Sequence, residues 1–123
     1  MVVVVDASAL AALLFGEPAQ VAVADRLRGA ELVAPALLTY ELANVAHQKV
    51  RRRTLSDTLA LEALDRFRAL SVRLEPDEPE DVFRLARDTG LTAYDAAYLL
   101  LARRLGAPLV TLDDKLRRVA DGA

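Results

Sequence analysis

Four acids stand where apolar segments of this chain end. Asp6 follows Val2-Val3-Val4-Val5, and Asp113 follows Leu109-Val110-Thr111-Leu112. Asp95 heads the run Ala96-Ala97-Tyr98-Leu99-Leu100-Leu101-Ala102, and Glu41 lies near the start of a long helical pattern. A carboxylate at the mouth of a buried element is costly to desolvate, so it must be capped, paired or metal-bound. Four that converge cannot all stay ionised in a low-dielectric cleft without a cation, because like charges raise each other's pKa. Hard oxygen ligands suit Mg²⁺ or Mn²⁺. Such ions can activate a water and stabilise an in-line displacement at phosphorus. Ser8 and Thr111, each two residues from one of the acids, offer hydroxyls beside the same cleft. Asn44, three residues after Glu41, shares its helix face and could hydrogen-bond a ligand or phosphate.

Each of these residues also has a plainer use. Thr92-x-x-Asp95 has the spacing of a capping box, and an acid in a first turn is favoured by the helix dipole anyway. Lys49-Val50-Arg51-Arg52-Arg53 is either an RNA-backbone contact or a set of cations complementing a helix C-terminus. His47, the one histidine, lies six residues from Glu41, about 240° round the helix, and so off the acidic face. It reads as a surface or interface residue. Tyr94 and Tyr98 could stack on bases, but in so apolar a helix core packing is the expectation.

The elements that must hold these acids follow from the pattern of apolar residues. Val2-Val3-Val4-Val5 does not alternate, which marks a strand buried on both faces, as in a parallel sheet. Asp6 ends it and can cap a helix over 7–15. Gly16-Glu17-Pro18 breaks the chain, with Pro18 in the first turn of a helix reaching about 28. A strand over 32–34 ends at Pro35, and a long helix over 37–52 carries Glu41. Ser56 can cap a helix over 58–70, and 72–74 is a weak strand. A helix over 78–87 starts with Glu78-Pro79-Glu80-Asp81 and closes at Gly90. The Asp95 helix runs to 105 with Gly106 as its C-cap, 109–112 is the fourth strand, and a short helix ends the chain. Strands alternating with helices imply an α/β fold with helices on both faces of a mainly parallel sheet. Sites in such sheets form outside the carboxyl ends of the strands. Asp6 and Asp113 each follow a strand directly, so all four acids can meet on that rim.

With 123 residues the chain reads as a single domain, 1–123, large enough for a proper core. It has no cysteine, which excludes disulfides and thiolate metal sites. No apolar stretch is long enough to span a bilayer, and Met1-Val2-Val3-Val4-Val5 lacks the basic start of a signal peptide. A cytoplasmic soluble protein is the expectation. The net charge of -2 does not announce a nucleic-acid binder, although charge can be segregated locally.

Val4-Val5-Asp6-Ala7-Ser8-Ala9, Tyr40-Glu41-Leu42-Ala43-Asn44, Thr92-Ala93-Tyr94-Asp95-Ala96-Ala97-Tyr98 and Leu109-Val110-Thr111-Leu112-Asp113 together resemble the PIN domain, and more closely the ribonuclease toxins of VapBC toxin–antitoxin modules. The resemblance covers the whole chain in length and motif order. It implies a three-layer α/β/α fold with a short sheet of four to five strands, and a metal-dependent endoribonuclease using Mg²⁺ or Mn²⁺. It assigns Asp6, Glu41, Asp95 and Asp113 to the acidic metal site; Asp114 competes for the last place, though the Thr-x-Asp spacing favours Asp113. It also implies an RNA substrate, a cognate VapB-type antitoxin and a homodimer. The alternative is a catalytically silent PIN fold used as a binding or assembly module. A receiver domain would need a phosphoacceptor Asp after the third strand, where Leu74-Glu75-Pro76 stands. A haloacid-dehalogenase-type phosphatase would need an Asp where Ser8 is.

Overall fold

The four valines set the centre of the molecule. A computed structural model describes residues 1–122 and places β1 (Val2–Val5) in the middle of a four-stranded parallel sheet of order β3-β2-β1-β4. Val3, Val4 and Val5 are all but completely buried, which is what a strand covered on both faces requires. β2 (Glu31–Pro35) pairs with β1 through Val3 opposite Leu32, and β4 (Leu109–Val110) flanks the other side with Val5 opposite Val110. β3 (Arg73–Glu75) is an exposed edge on β2, where Arg73 bridges Glu31 and Glu75.

Among the described residues seven helices complete the fold: α1 (Ala7–Leu14), α2 (Gln20–Leu27), α3 (Leu38–Arg51), α4 (Asp57–Ala69), α5 (Pro79–Thr89), α6 (Ala93–Leu105) and α7 (Asp114–Gly122). α1 packs with α2, α3 and α4, whereas α6 packs with α5 and α7 and against β1, β2 and β4. The caps read from the sequence are present. Ser56 accepts from the Leu59 amide, and Gly90 and Gly106 end their helices in the left-handed conformation that glycine tolerates. Among the described residues no helix is long and apolar enough to cross a membrane.

Strand order decides where a site can form. From β1 the chain moves outward through β2 to β3, then returns to lay β4 on the opposite side of β1. The direction of winding therefore reverses between β1 and β4, and the crevice outside their carboxyl ends is where such sheets bind ligands. Asp6 follows β1 and Thr111 follows β4, so both open onto that crevice.

Most boundaries shift by one or two residues from the sequence reading, and two of the shifts have a clear local cause. Pro18 is not inside α2: residues 17–20 form a turn closed by the Gln20 amide on the Glu17 carbonyl at 2.9 Å, and the helix starts at Gln20. Proline suits the second position of such a turn as well as a first helical turn. The fourth strand ends at Val110 rather than Leu112. Beyond Val110 the backbone is drawn into the site, the Leu112 amide donating to Ser8 Oγ at 2.9 Å and the Asp113 amide to Thr111 Oγ1 at 3.0 Å.

Candidate metal centre

Asp6 is the floor of the site. It is 4% exposed and is held by three donors: the Ser8 hydroxyl at 2.7 Å, the Ala9 amide at 3.0 Å and the Thr111 hydroxyl. The Ala9 bond makes Asp6 the N-cap of α1, as its position after the strand implies. The other two bonds commit Ser8 and Thr111 to the carboxylate itself. Both hydroxyls lie beside the cleft as the sequence suggested, but as fixtures of Asp6. Thr111 is 1% exposed and reaches Asp6 only because β4 lies beside β1.

The other three acids rise from this floor toward solvent. Glu41, in the first turn of α3, is half-buried and accepts the Tyr98 phenol on Oε1 at 2.5 Å. Asp95 is half-buried at the start of α6, and only half of its capping box forms. Its backbone amide donates to Thr92 Oγ1 at 3.1 Å, while its carboxylate makes no hydrogen bond or ion pair among the described residues. The cap therefore leaves the charge of Asp95 unused. Asp113 is exposed and caps α7, accepting from the Leu116 amide at 2.8 Å.

These four carboxylates act on one another. Burial raises Asp6 above the usual carboxylate range against its three donors, and Asp113 adds to the rise. Glu41 is raised by burial and then by Asp6 and Asp95, with the Tyr98 bond opposing. Asp95 is raised by burial and then by Asp113 and Asp6, with Lys115 opposing. The acids from β1, α3, α6 and the β4–α7 junction thus share one electrostatic neighbourhood, in which Lys115 counters the rise at Asp95. Asp114 stands apart, its carboxylate paired with Arg117 on the outer face of α7.

Among the described residues no three histidine or acidic side chains are arranged to grip a cation directly. The donor set nevertheless fits a hard divalent ion that keeps part of its water, since Mg²⁺ is commonly held by one or two carboxylates with the rest of its shell hydrated. The site is an open rim. Apolar grooves of about 380 and 320 Å³ lie elsewhere, along α3 and α4, lined among others by Ala43, Leu64 and Phe67 in the first and by His47, Val50 and Leu61 in the second.

The remaining candidates separate. Asn44 is exposed and makes no hydrogen bond among the described residues. His47 faces the apolar groove, away from the acids. Lys49 leaves the basic cluster, because its ammonium pairs with Glu17 at 2.8 Å and sits 5.5 Å from the Phe15 ring. Arg51, Arg52 and Arg53 stay exposed and form no ion pair among the described residues. Tyr98 packs in the core as expected, but Tyr94 does not: it is 65% exposed. The bond from Tyr98 to Glu41 was not foreseen; the polar tip of a tyrosine inside an apolar run was its one signal.

The PIN-domain model matches residues 3–122. Ribonuclease VapC12 of Mycobacterium tuberculosis (strain ATCC 25618 / H37Rv) is 39% identical over 114 residues, covering 93% of this chain and 88% of its own length. Ribonuclease VapC3 of Pyrobaculum aerophilum is 40% identical over 124 residues, covering 94% of this chain and 92% of its own. The crystal structure of PAE2754 from Pyrobaculum aerophilum aligns with a TM-score of 0.78 at 31% identity, covering 100% of this chain and 87% of that one. The chain belongs to the PIN-domain family, and its relatives within that family are VapC ribonucleases.

Proposed function

We propose that this protein is a metal-dependent endoribonuclease, the toxin of a type II toxin–antitoxin pair. The observation that carries the reading is the gathering of four carboxylates about the β1/β4 crevice, where Asp113 acts on Asp6 and Asp95, and Asp6 and Asp95 act on Glu41. Asp6, Glu41, Asp95 and Asp113 would hold Mg²⁺ or Mn²⁺ there, partly through water. When bound, such an ion supplies an activated water and charge stabilisation for displacement at phosphorus. The chain's own part is positioning. Ser8, Thr111 and the Ala9 amide fix Asp6, the Leu116 amide fixes Asp113, and Tyr98 fixes Glu41. The Asp95 carboxylate, which makes no hydrogen bond among the described residues, can turn toward a cation or a bound water.

An open rim admits a polymer where an enclosed pocket would admit only a small ligand. Arg51, Arg52 and Arg53, exposed and without ion pairs among the described residues, supply charge for an RNA backbone. The groove along α3 and α4, with Leu61 67% exposed beside it, is apolar surface of the kind a partner chain covers. A cognate antitoxin and a second copy of the chain are the partners this reading requires, in the cytoplasm where the RNA is.

Purified protein freed of any partner, incubated with cellular RNA and Mg²⁺ or Mn²⁺, should produce new RNA ends that chelator abolishes. No cleavage of any RNA class with either metal would instead favour a silent binding module.

A further inference from the structure

We propose that Tyr98 is a positioning residue for Glu41: its phenol holds Oε1 of the glutamate and leaves Oε2 for the cation. The inference rests on the metal reading of the four acids and concerns how one of them is kept in place. Glu41 carries the longest side chain of the four and sits half-buried in the first turn of α3, and its carboxylate accepts no backbone hydrogen bond among the described residues. Its one hydrogen bond among the described residues comes from Tyr98, 57 residues away in the chain.

Tyr98 is suited to this by its own confinement. The side chain is 1% exposed in the core, so its ring has little freedom and its hydroxyl occupies a fixed point. It lies three residues after Asp95 on α6, and residues at that spacing stand on one helix face roughly 5–6 Å apart between Cβ atoms. One turn of α6 therefore supplies Asp95 directly and secures Glu41 from behind. The phenol that holds Glu41 is thereby tied to the same helix that carries Asp95. Preorganisation of this kind makes a ligand set bind more tightly without adding a ligand.

The competing explanation is that Glu41 merely satisfies a buried phenol, which must find an acceptor somewhere. That predicts an effect on stability and none on the cation. The two are separated by Mn²⁺ titrations and thermal melts of the wild type, Tyr98→Phe, Glu41→Gln and the double variant, with RNA cleavage followed against Mn²⁺ concentration. Tyr98→Phe should melt near the wild type in chelator, because Glu41 is open enough for water to replace the phenol. Its Mn²⁺ affinity should fall roughly 2- to 10-fold, the equivalent of one net hydrogen bond. Cleavage should fall at limiting Mn²⁺ and recover at saturation. In the Glu41→Gln background, loss of the hydroxyl should weaken Mn²⁺ no further, as expected of two groups acting through one link.

Wild-type Mn²⁺ affinity in Tyr98→Phe, or an equal loss in the Glu41→Gln background, would overturn the role of Tyr98 while leaving the metal site standing. No Mn²⁺ binding by the wild type would overturn both. If Tyr98→Phe folds poorly, Glu41→Asp carries the test, since it withdraws the carboxylate from the phenol by one methylene and leaves the core intact. It should weaken Mn²⁺ binding, and unchanged affinity there would also overturn the proposal.

Discussion

Replacing Asp95 by Asn separates a metal site from a set of helix caps. The substitution keeps side-chain shape and removes one charge. It spares the cap, because Thr92 Oγ1 accepts from the backbone amide of residue 95 and the Asp95 carboxylate receives no bond. What changes is repulsion from Asp113 and Asp6. Two unit charges about 4 Å apart interact by about 1 kcal/mol in water and about 4 kcal/mol at an effective dielectric of 20. Asp95 is partly open to solvent, so screening brings the sum for both neighbours down to roughly 1–2 kcal/mol. Against this, a first-turn carboxylate contributes about 0.3–1 kcal/mol through the helix dipole. The metal-free variant should therefore be more stable than the wild type by about 1 kcal/mol, some 4 °C in melting temperature for a domain of this size.

The pH dependence has a definite sign. Burial, then Asp113 and Asp6, raises the folded Asp95 above its ordinary value of 3.8. A raised acid contributes stability that is fully present below the unfolded value and lost as pH rises through the folded one. The advantage of the Asn variant should thus open as pH rises above about 4 and vanish below it. With Mn²⁺ at about 100 times its dissociation constant the wild type should gain about 2.7 kcal/mol, and the variant should lose most of that gain together with cleavage. Thermal melts with chelator and with Mn²⁺ read all of this. An Asn variant that is less stable in chelator at neutral pH, yet keeps the wild-type Mn²⁺ shift, would refute the assignment.

Four further outcomes follow from the geometry. Thr111→Val leaves one oxygen of buried Asp6 without its donor and should cost about 1–3 kcal/mol, seen as a lower denaturation midpoint, together with weaker Mn²⁺ binding. Asp114→Asn should keep both the Mn²⁺ shift and cleavage, since that carboxylate faces Arg117; loss of metal binding there would move the fourth acid to Asp114. Replacing Arg51, Arg52 and Arg53 by Gln should weaken RNA binding across sequences and flatten its salt dependence. Lys49→Gln should leave that slope alone and cost at most about 1 kcal/mol of stability, because its ammonium is spent on Glu17 and Phe15.

The sequence by itself determined the elements, and their ends to within one or two residues. Four β-branched residues without alternation can only be a strand covered on both sides, and Val2–Val5 is one. Asp6, Ser56, Thr92, Gly90 and Gly106 act as caps because capping is chemistry within a few residues of the helix end. The placement of acids after strands and in first turns was legible for the same reason. Tertiary structure alone decided which ends meet. Strand order brought β4 to β1, and with it Thr111 and Asp113 to Asp6, through pairs 105 and 107 residues apart that no local pattern records. It turned Tyr98 inward to Glu41 and Tyr94 outward from the same helix, and it removed Lys49 from a cluster that looks continuous in the sequence. A run of apolar or charged residues records how much of a segment is buried or solvated. Which distant group each side chain touches is fixed only when the elements pack.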